Sequence, residues 1–387
     1  MEEWEKIKLK EVLTEITERN KGEKVKLVLS VTNSQGFVSQ EEYFEGTVHS
    51  QDISNYKIVR KNQFAYNPSR INVGSIDILK KYEEGALSPM YVVFKVDENR
   101  LLSEYFKYFF QTHRFEENVK NNTQGSVRNS LSFKSLADFE YYLPPLKEQE
   151  RIVKILEKVD LIIKKYESLL EEKNQFIKSQ FVEMFGNGDY KKVEIKTISD
   201  IRGRVGWKGY TKSDLRISGP LVLGATHLTD DGLIDLSEPV FLSREKYEES
   251  PEIMIEQNDI IFAQRGSLGK VGLVKENIGE ATINPCVLIL RPKGINPEFL
   301  RFLLIMEYYN GNLERLNSGS TIPMISQKTI GEYKIILPSD DLQNRFERIV
   351  QLIDKQKFEL KKIIENYKKL KKGLMQQLLT GKIKVRI

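Results

Sequence analysis

GSVRNSLSFKSL at 125–136 governs the reading of the whole chain, because it returns 194 residues later as GSTIPMISQKTI at 319–330. Gly125 matches Gly319, Ser126 matches Ser320, Ser132 matches Ser326 and Lys134 matches Lys328. The same offset pairs LPP at 143–145 with LPS at 337–339, Gln149 with Gln343, Arg151 with Arg345, and Asp160 with Asp354. It also pairs SEYFKYF at 103–109 with PEFLRFL at 297–303. The starts agree at a shorter offset of 186, WEKIKLKEV at 4–12 against YKKVEIKTI at 190–198. An offset that drifts along the chain marks loops inserted between matched elements, as in an old tandem duplication.

Each copy runs in the same order, a strand-rich segment and then a long charged helical one. YVVFKV at 91–96 and VLILR at 287–291 read as buried strands. Asn33–Gly36, Gly203–Gly209 and Asp230–Gly232 carry turn chemistry. The stretches 103–118 and 297–315 read as short amphipathic helices. Pro144, Pro145 and Pro338 stop the last strand before each long helix, and Gly186 and Gly381 stand where caps are expected. The expected fold is α+β: two β-rich globular domains (1–145 and 187–339), each followed by a spacer helix (146–186 and 340–387).

Apolar residues in the first helical segment recur at Ile152, Ile155, Val159, Ile162, Tyr166, Leu169 and Phe176, with Lys173 as a polar break. The second gives Phe346, Ile349, Ile353, Leu360, Ile363, Tyr367 and Leu370, with Gln356 as its break. A 3-4 spacing is a heptad seam, and a seam of this length needs a partner helix. Helix one ends where the second domain begins, and helix two begins where that domain ends. The expectation is an antiparallel coiled-coil pair and a pseudo-twofold repeat.

The chain has 387 residues, 40% apolar and 30% charged, an ordinary globular composition with room for two or three domains. Its apolar runs are far below the roughly 18–20 residues of a membrane span. The charged start MEEWEKIKLK does not read as a secretory signal, and one cysteine, Cys286, leaves no disulfide framework. These features point to the cytoplasm. The net charge of +5 is uneven: residues 345–387 hold thirteen Lys/Arg and four Asp/Glu, a net of +9, so the remainder sums to −4. Nucleic-acid binding would therefore come from local patches.

Catalytic patterns are weak. FAYNPSR at 64–70 is superficially similar to an adenine-gripping Asn-Pro-Pro-aromatic loop, but Ser69 and Arg70 replace its last two residues. GSLGK at 266–270 is too short for a phosphate loop and reads as a hairpin turn. Glu194–Lys196 lacks a preceding acidic partner, and His49, His113 and His227 are scattered. Cys286 reads as a core residue. What remains is a set of basic, amide and hydroxyl residues at turns. Copy one offers Asn67, Arg70, Asn72, Gln124, Ser126, Arg128 and Asn129; copy two offers Arg202, Arg204, Lys208, Gln264, Arg265, Ser267, Lys270 and Ser320. Arg, Asn and Gln can bond base edges bidentately, and Lys and Ser hold phosphates. The lysines at 355, 357, 361, 362, 368, 369, 371 and 372 read as a protein-docking face.

The chain resembles the specificity (S) subunit of type I restriction–modification systems over nearly its whole length. The resemblance rests on LPPLKEQERIVKILEKVD at 143–160, KKLKKGLMQQLLTGK at 368–382, YNPSRINVGSI at 66–76, SPMYVVFK at 88–95 and IIFAQRGSLGKVGLV at 260–274. LPSDDLQNRFERI at 337–349 departs from it, lacking the Pro-Leu and Glu-Gln of the first copy. The resemblance implies a non-catalytic reader with two target recognition domains, each taking one half of a bipartite, asymmetric site on double-stranded DNA. It implies two methyltransferase (M) subunits as partners, and restriction/translocase (R) subunits beyond them. S-adenosylmethionine, ATP and Mg would belong to those partners, with no cofactor or metal in this subunit and no membrane. The residues alone leave two other readings open: a non-catalytic protein-interaction scaffold, and the same reader in a methylation-only or type II-like system.

Overall fold

The computed structural model describes residues 4–43, 50–123, 130–204, 209–316, 324–383 and 385. Gln124, Ser126, Arg128, Asn129, Lys208, Ser320 and His49, with positions 205–208 of the Gly203–Gly209 turn, lie outside the described residues. The chain forms two compact units, Met1–Tyr166 with Lys362–Ile387, and Glu167–Lys361. These do not follow the division expected from sequence, since each unit takes in part of both long helices. The reason is that each helix buries its seam in the core of a head as well as against the other helix.

The first head contains β1 (Glu5–Lys8), β2 (Leu13–Ile16), β3 (Leu29–Thr32), β4 (Gly36–Ser39), β5 (Lys57–Arg60), β6 (Phe64–Tyr66), β7 (Ile76–Ile78), β8 (Glu84–Leu87), β9 (Val92–Val96) and β10 (Glu140–Leu143). Its helices are α1 (Gln40–Tyr43), α2 (Ser103–Phe109), α3 (His113–Thr123), α4 (Phe133–Ala137) and the start of the long α5 (Leu146–Phe185). The central sheet runs β2-β9-β6-β7, antiparallel throughout, and β1 closes the head by pairing with β10. Phe64, Phe94 and Phe106 from strands and α2 meet in a packed aromatic core. The single helix expected over 103–118 is interrupted: the Thr112 hydroxyl accepts from the Phe115 amide and so starts a new helix.

The second head contains β11 (Lys192–Glu194), α6 (Ile195–Ile198), β12 (Ser199–Gly203), β13 (Leu215–Leu223), β14 (Phe241–Leu242), α7 (Arg244–Glu248), β15 (Ile260–Ala263), β16 (Val271–Leu273), β17 (Ala281–Ile283), β18 (Val287–Pro292), α8 (Pro297–Tyr309), α9 (Gln327–Glu332), β19 (Lys334–Ile336) and the start of the long α10 (Asp340–Leu378). Its central sheet is β12-β18-β15-β16, again antiparallel, with β11 closed by β19. The two central sheets agree residue for residue. Phe64 faces Phe94 and Ile78; Ile260 faces Leu290 and Leu273. Lys80 pairs with Glu104, and at the matching places Lys275 pairs with Glu298 at 2.6 Å.

The repeat matches found in the sequence have identical structural duties. Ser132 and Ser326 cap α4 and α9, accepting from the amides of Ser135 (3.1 Å) and Thr329 (3.0 Å). The buried Gln149 side chain accepts from the Leu102 amide and donates to the Arg100 and Pro144 carbonyls, each at 2.8 Å. Gln343 accepts from the Asn296 amide (2.8 Å) and donates to the Pro338 carbonyl (2.9 Å). Each glutamine thus fixes the first turn of a long helix to the loop that opens α2 or α8.

Within each unit the long helices run antiparallel. In the first, Ile152 and Leu156 share a core with Met375 and Leu378, Asp160 pairs with Lys371 (2.7 Å), and Tyr166 stacks on Tyr367. In the second, Ile177, Phe181 and Phe185 share a core with Phe346, Val350 and Ile353. The buried stripe differs from the expected one at every second position. Ile152, Val159, Phe346, Ile353 and Leu360 are buried, and Tyr166 and Tyr367 partly so. Between them the seam takes Leu156, Ile163, Ile177, Val350 and Ile364. The expected Ile155, Ile162, Leu169, Ile349 and Ile363 are only half-buried beside it. Phe176 is 46% exposed where Ile177 is 1%, and Leu370 is 49% exposed. A 3-4 and a 4-3 spacing share every second residue, and apolar neighbours such as Ile162–Ile163 and Ile363–Ile364 serve either. Lys357 and Lys371 occupy seam positions and are not part of a free docking face. Lys357 is buried against Asp231 (3.1 Å) and Asp354 (3.8 Å), and Lys371 pairs with Asp160 beneath the Tyr108 ring.

The helix ends also separate. Gly381 has φ +69° and donates to the Leu378 carbonyl, a left-handed cap. Gly186 is not left-handed; it donates to the Val182 carbonyl at 2.7 Å, where a Cβ would collide with that oxygen.

Candidate nucleic-acid interface

The residues chosen separately in the two copies fall on one structural feature. Asn67, Arg70 and Asn72 lie on the turn from β6 to β7, and Gln264, Arg265, Ser267 and Lys270 on the turn from β15 to β16. Both turns close alike, the Asn67 amide donating to the Ser75 carbonyl and the Ala263 amide to the Lys270 carbonyl. Gly74 (φ +87°) and Gly269 (φ +80°) fill the same left-handed place before the second strand. The Leu131 amide donates to the Pro68 carbonyl (3.1 Å), and the Ile325 amide donates to the Gln264 carbonyl (3.0 Å). Leu131 and Ile325 are themselves repeat partners, so the chain that leads into α4 or α9 is fastened to the turn in both heads.

The floor under each turn was not recognised from the sequence. In the second head it is Asn284–Pro285–Cys286. The Gln264 side chain donates to the Pro285 carbonyl (2.8 Å), and the Gln264 and Arg265 amides share the Cys286 carbonyl. In the first head Ser88–Pro89–Met90 takes the place, with the Asn67 amide group against the Met90 sulfur (3.7 Å). The signal lay in SPM at 88–90 and NPC at 284–286, each directly ahead of a matched strand. Cys286 is only half-buried and lies on this floor, outside the core.

The candidate side chains then sort by what they touch. Arg70 and Asn72 are exposed, and neither side chain has a polar partner among the described residues. Asn67 folds back, accepting from the Ser69 amide (3.0 Å) to shape the turn. Arg265 is exposed with its Nε on the Met324 sulfur (3.0 Å), which aims the guanidinium and leaves its terminal nitrogens outward. Ser267 is exposed beside it. Lys270 is held by Asp230 at 2.6 Å. Arg202 bonds Asp200 (3.3 Å) and the Glu252 carbonyl (3.4 Å).

Arg204 departs from its expected place among the DNA-contacting residues of the turns. It is buried, donates to the Ile283 carbonyl (3.0 Å) and the Thr282 hydroxyl (3.2 Å), and faces the Tyr210 ring. Burial pushes its guanidinium below the usual arginine range. It braces the strand that leads into the turn's floor. The two described histidines have local partners: buried His227 accepts from the Gly224 amide, and His113 meets Glu116 within its own helix.

Two heads of one architecture presenting unlike polar turns define a duplicated recognition protein. The family described as type I restriction modification DNA specificity domain matches residues 1–175 and again 187–371. The chain belongs to this family. It is 26% identical to the type I restriction enzyme MjaVIII specificity subunit of Methanocaldococcus jannaschii, over 85% of this chain and 81% of that one. It is 25% identical to the putative type I restriction enzyme MjaX specificity subunit of the same organism, over 100% of this chain and 95% of that one. Among solved structures, the type I restriction–modification S subunit of M. genitalium has the same fold (TM-score 0.52, 16% identity, 97% and 96% of the chains). So does a chain solved in work on complex assembly and conformational transition of the type I R-M system (TM-score 0.56, 14% identity, 99% of each). Among the described residues no helix is long and apolar enough to cross a membrane.

Proposed function

We propose that each head reads one half of a bipartite, asymmetric site on double-stranded DNA through its β6–β7 or β15–β16 turn. The observation that carries this is a common frame with unlike contents: the two turns agree in strand register, in their left-handed glycine and in their fastening amide, yet present different side chains. One frame on two DNA segments with different readers gives two different half-sites. Arg70 and Asn72 would read in the first head, Arg265 and Ser267 in the second, with Arg able to bond guanine bidentately. The forty-residue α5, which joins the heads in sequence, would set the unread gap.

Catalysis is assigned to partners: two methyltransferase subunits using S-adenosylmethionine, and restriction/translocase subunits using ATP and Mg. The resemblance and the family membership support this, as they support a cytoplasmic location. The net of −4 outside residues 345–387 gives the isolated chain little phosphate neutralisation. It should bind DNA weakly and with strong salt dependence, and gain specific affinity when the methyltransferase is added. Equal sequence-specific affinity with and without that subunit contradicts the proposal.

A further inference from the structure

The two heads differ where they would read bases. A contact to phosphate carries no sequence information, so it should be the same in both copies. Few exposed charged side chains meet that condition. Lys10 matches Lys196 at the offset of 186, and Lys134 matches Lys328 at 194. All four are exposed. In each head the two lysines come from neighbouring elements. The turn of 3-10 helix Leu9–Glu11 packs on α4, and α6 packs on α9. Both α4 and α9 begin two residues after the one whose amide is fastened to the reading turn, Leu131 or Ile325, with only the capping serine between.

Many lysines of the heads are engaged by acids, among them Lys61, Lys80, Lys270 and Lys275. Lys10, Lys134 and Lys328 have no ion pair among the described residues, whereas Lys196 pairs with half-buried Glu194 at 2.8 Å and also feels the Glu332 carboxylate. Asp138 and Glu332, four residues beyond Lys134 and Lys328, are exposed and make no ion pair with them. In the second head Lys196 and Lys328 line one open groove with Arg202 and Gln327 and with two acids, Asp200, held by Lys293 at 2.6 Å, and exposed Glu332. None of the large exposed apolar side chains lies on these elements, whereas a protein interface needs an apolar centre. This favours a polyanion over a protein partner.

We propose that Lys10 with Lys134, and Lys196 with Lys328, form one phosphate clamp per head, gripping the DNA backbone beside the reading turn. The assignment rests on the reading of the chain as a DNA-specificity subunit. The test uses the full chain with Lys10→Gln/Lys134→Gln and, separately, Lys196→Gln/Lys328→Gln. Fluorescence anisotropy on a duplex of about 30 bp and arbitrary sequence, as a function of salt, gives the slope of log affinity against log salt, which falls by ~0.9 for each phosphate no longer neutralised. Each double variant should lose about 2 from that slope, melt like the wild type, and leave the methylated motif unchanged on co-expression with the cognate methyltransferase. A wild-type slope in both variants overturns the clamp, as does a motif altered in one half. Loss of methyltransferase co-purification at an unchanged slope reassigns the lysines to protein docking. A wild type that binds no duplex at any salt, alone or with the cognate methyltransferase, removes the DNA reading itself, and the clamp with it.

Discussion

The turns after β6 and β15 share a frame and differ in how much of each is occupied internally. In the first head Asn67 is committed to shaping the turn while Arg70 and Asn72 face outward. In the second, Gln264 and Lys270 are tied to the floor and to Asp230, and Arg265 is steadied on Met324. Duplication has kept what sets the backbone and let go of what projects from it. The same division holds between the glutamine ties at the helix starts, which are alike, and the seams of the long helices, which are not. Stability should therefore respond alike in the two heads, and recognition should respond in one head at a time.

The largest effects belong to the shared ties. Gln149→Leu leaves one amide and two carbonyls unpaired in a buried place, and should cost roughly 4 kcal/mol by denaturant unfolding. Gln343→Leu frees one amide and one carbonyl and should cost roughly 3 kcal/mol. Equal small losses would show that the ties are not structural. The seam comes next. Ile177→Ala should cost about 3 kcal/mol and Phe176→Ala under ~0.5 kcal/mol, the reverse of the order expected from the sequence spacing.

The seam lysines should then differ between the units. Lys357→Met removes one of the cations that hold Asp231 and Asp354 in a largely buried place, leaving Lys361 and Lys275, and should cost about 2 kcal/mol; Lys371→Met, nearer solvent, about 1 kcal/mol. Burial alone would raise the Asp231 carboxyl, but the Thr229 hydroxyl (2.6 Å) and the Lys357 and Lys361 ammoniums outweigh it and hold it at about 2. Its folded value is depressed, so its stabilisation is complete above the unfolded carboxylate range near ~4 and is lost as pH falls through about 2. An acid titration of unfolding should show that loss shrinking in Lys357→Met. The most local effect falls on recognition and leaves stability unchanged. Arg265→Ala should remove about 1–2 kcal/mol of discrimination in one half of the methylated motif, and Arg70→Ala in the other half.

Much of this was legible in the sequence because matched residues with fixed duties survive duplication. Ser132 and Ser326 mark caps, Gln149 and Gln343 mark ties, and the Pro residues mark strand ends. The seam register was only half legible, since adjacent isoleucines such as Ile162 and Ile163 satisfy two spacings and only the surrounding cores choose between them. Arg204 looked like its neighbours because a spacing pattern cannot show that a guanidinium turns inward to two acceptors on β17. The equivalence of the two reading turns was hidden for a different reason. Their offset, 196 between Phe64 and Ile260, is neither of those found by motif matching, and only strand register reveals it.

The central claim is that the heads are independent readers of unlike half-sites. It is tested most directly by replacing residues 1–142 with another reader domain, co-expressing the chimera with the cognate methyltransferase, and mapping methyladenine across the genome. One half of the bipartite motif should change while the other half and the gap stay as they were. A change in both halves, or in neither, contradicts the account.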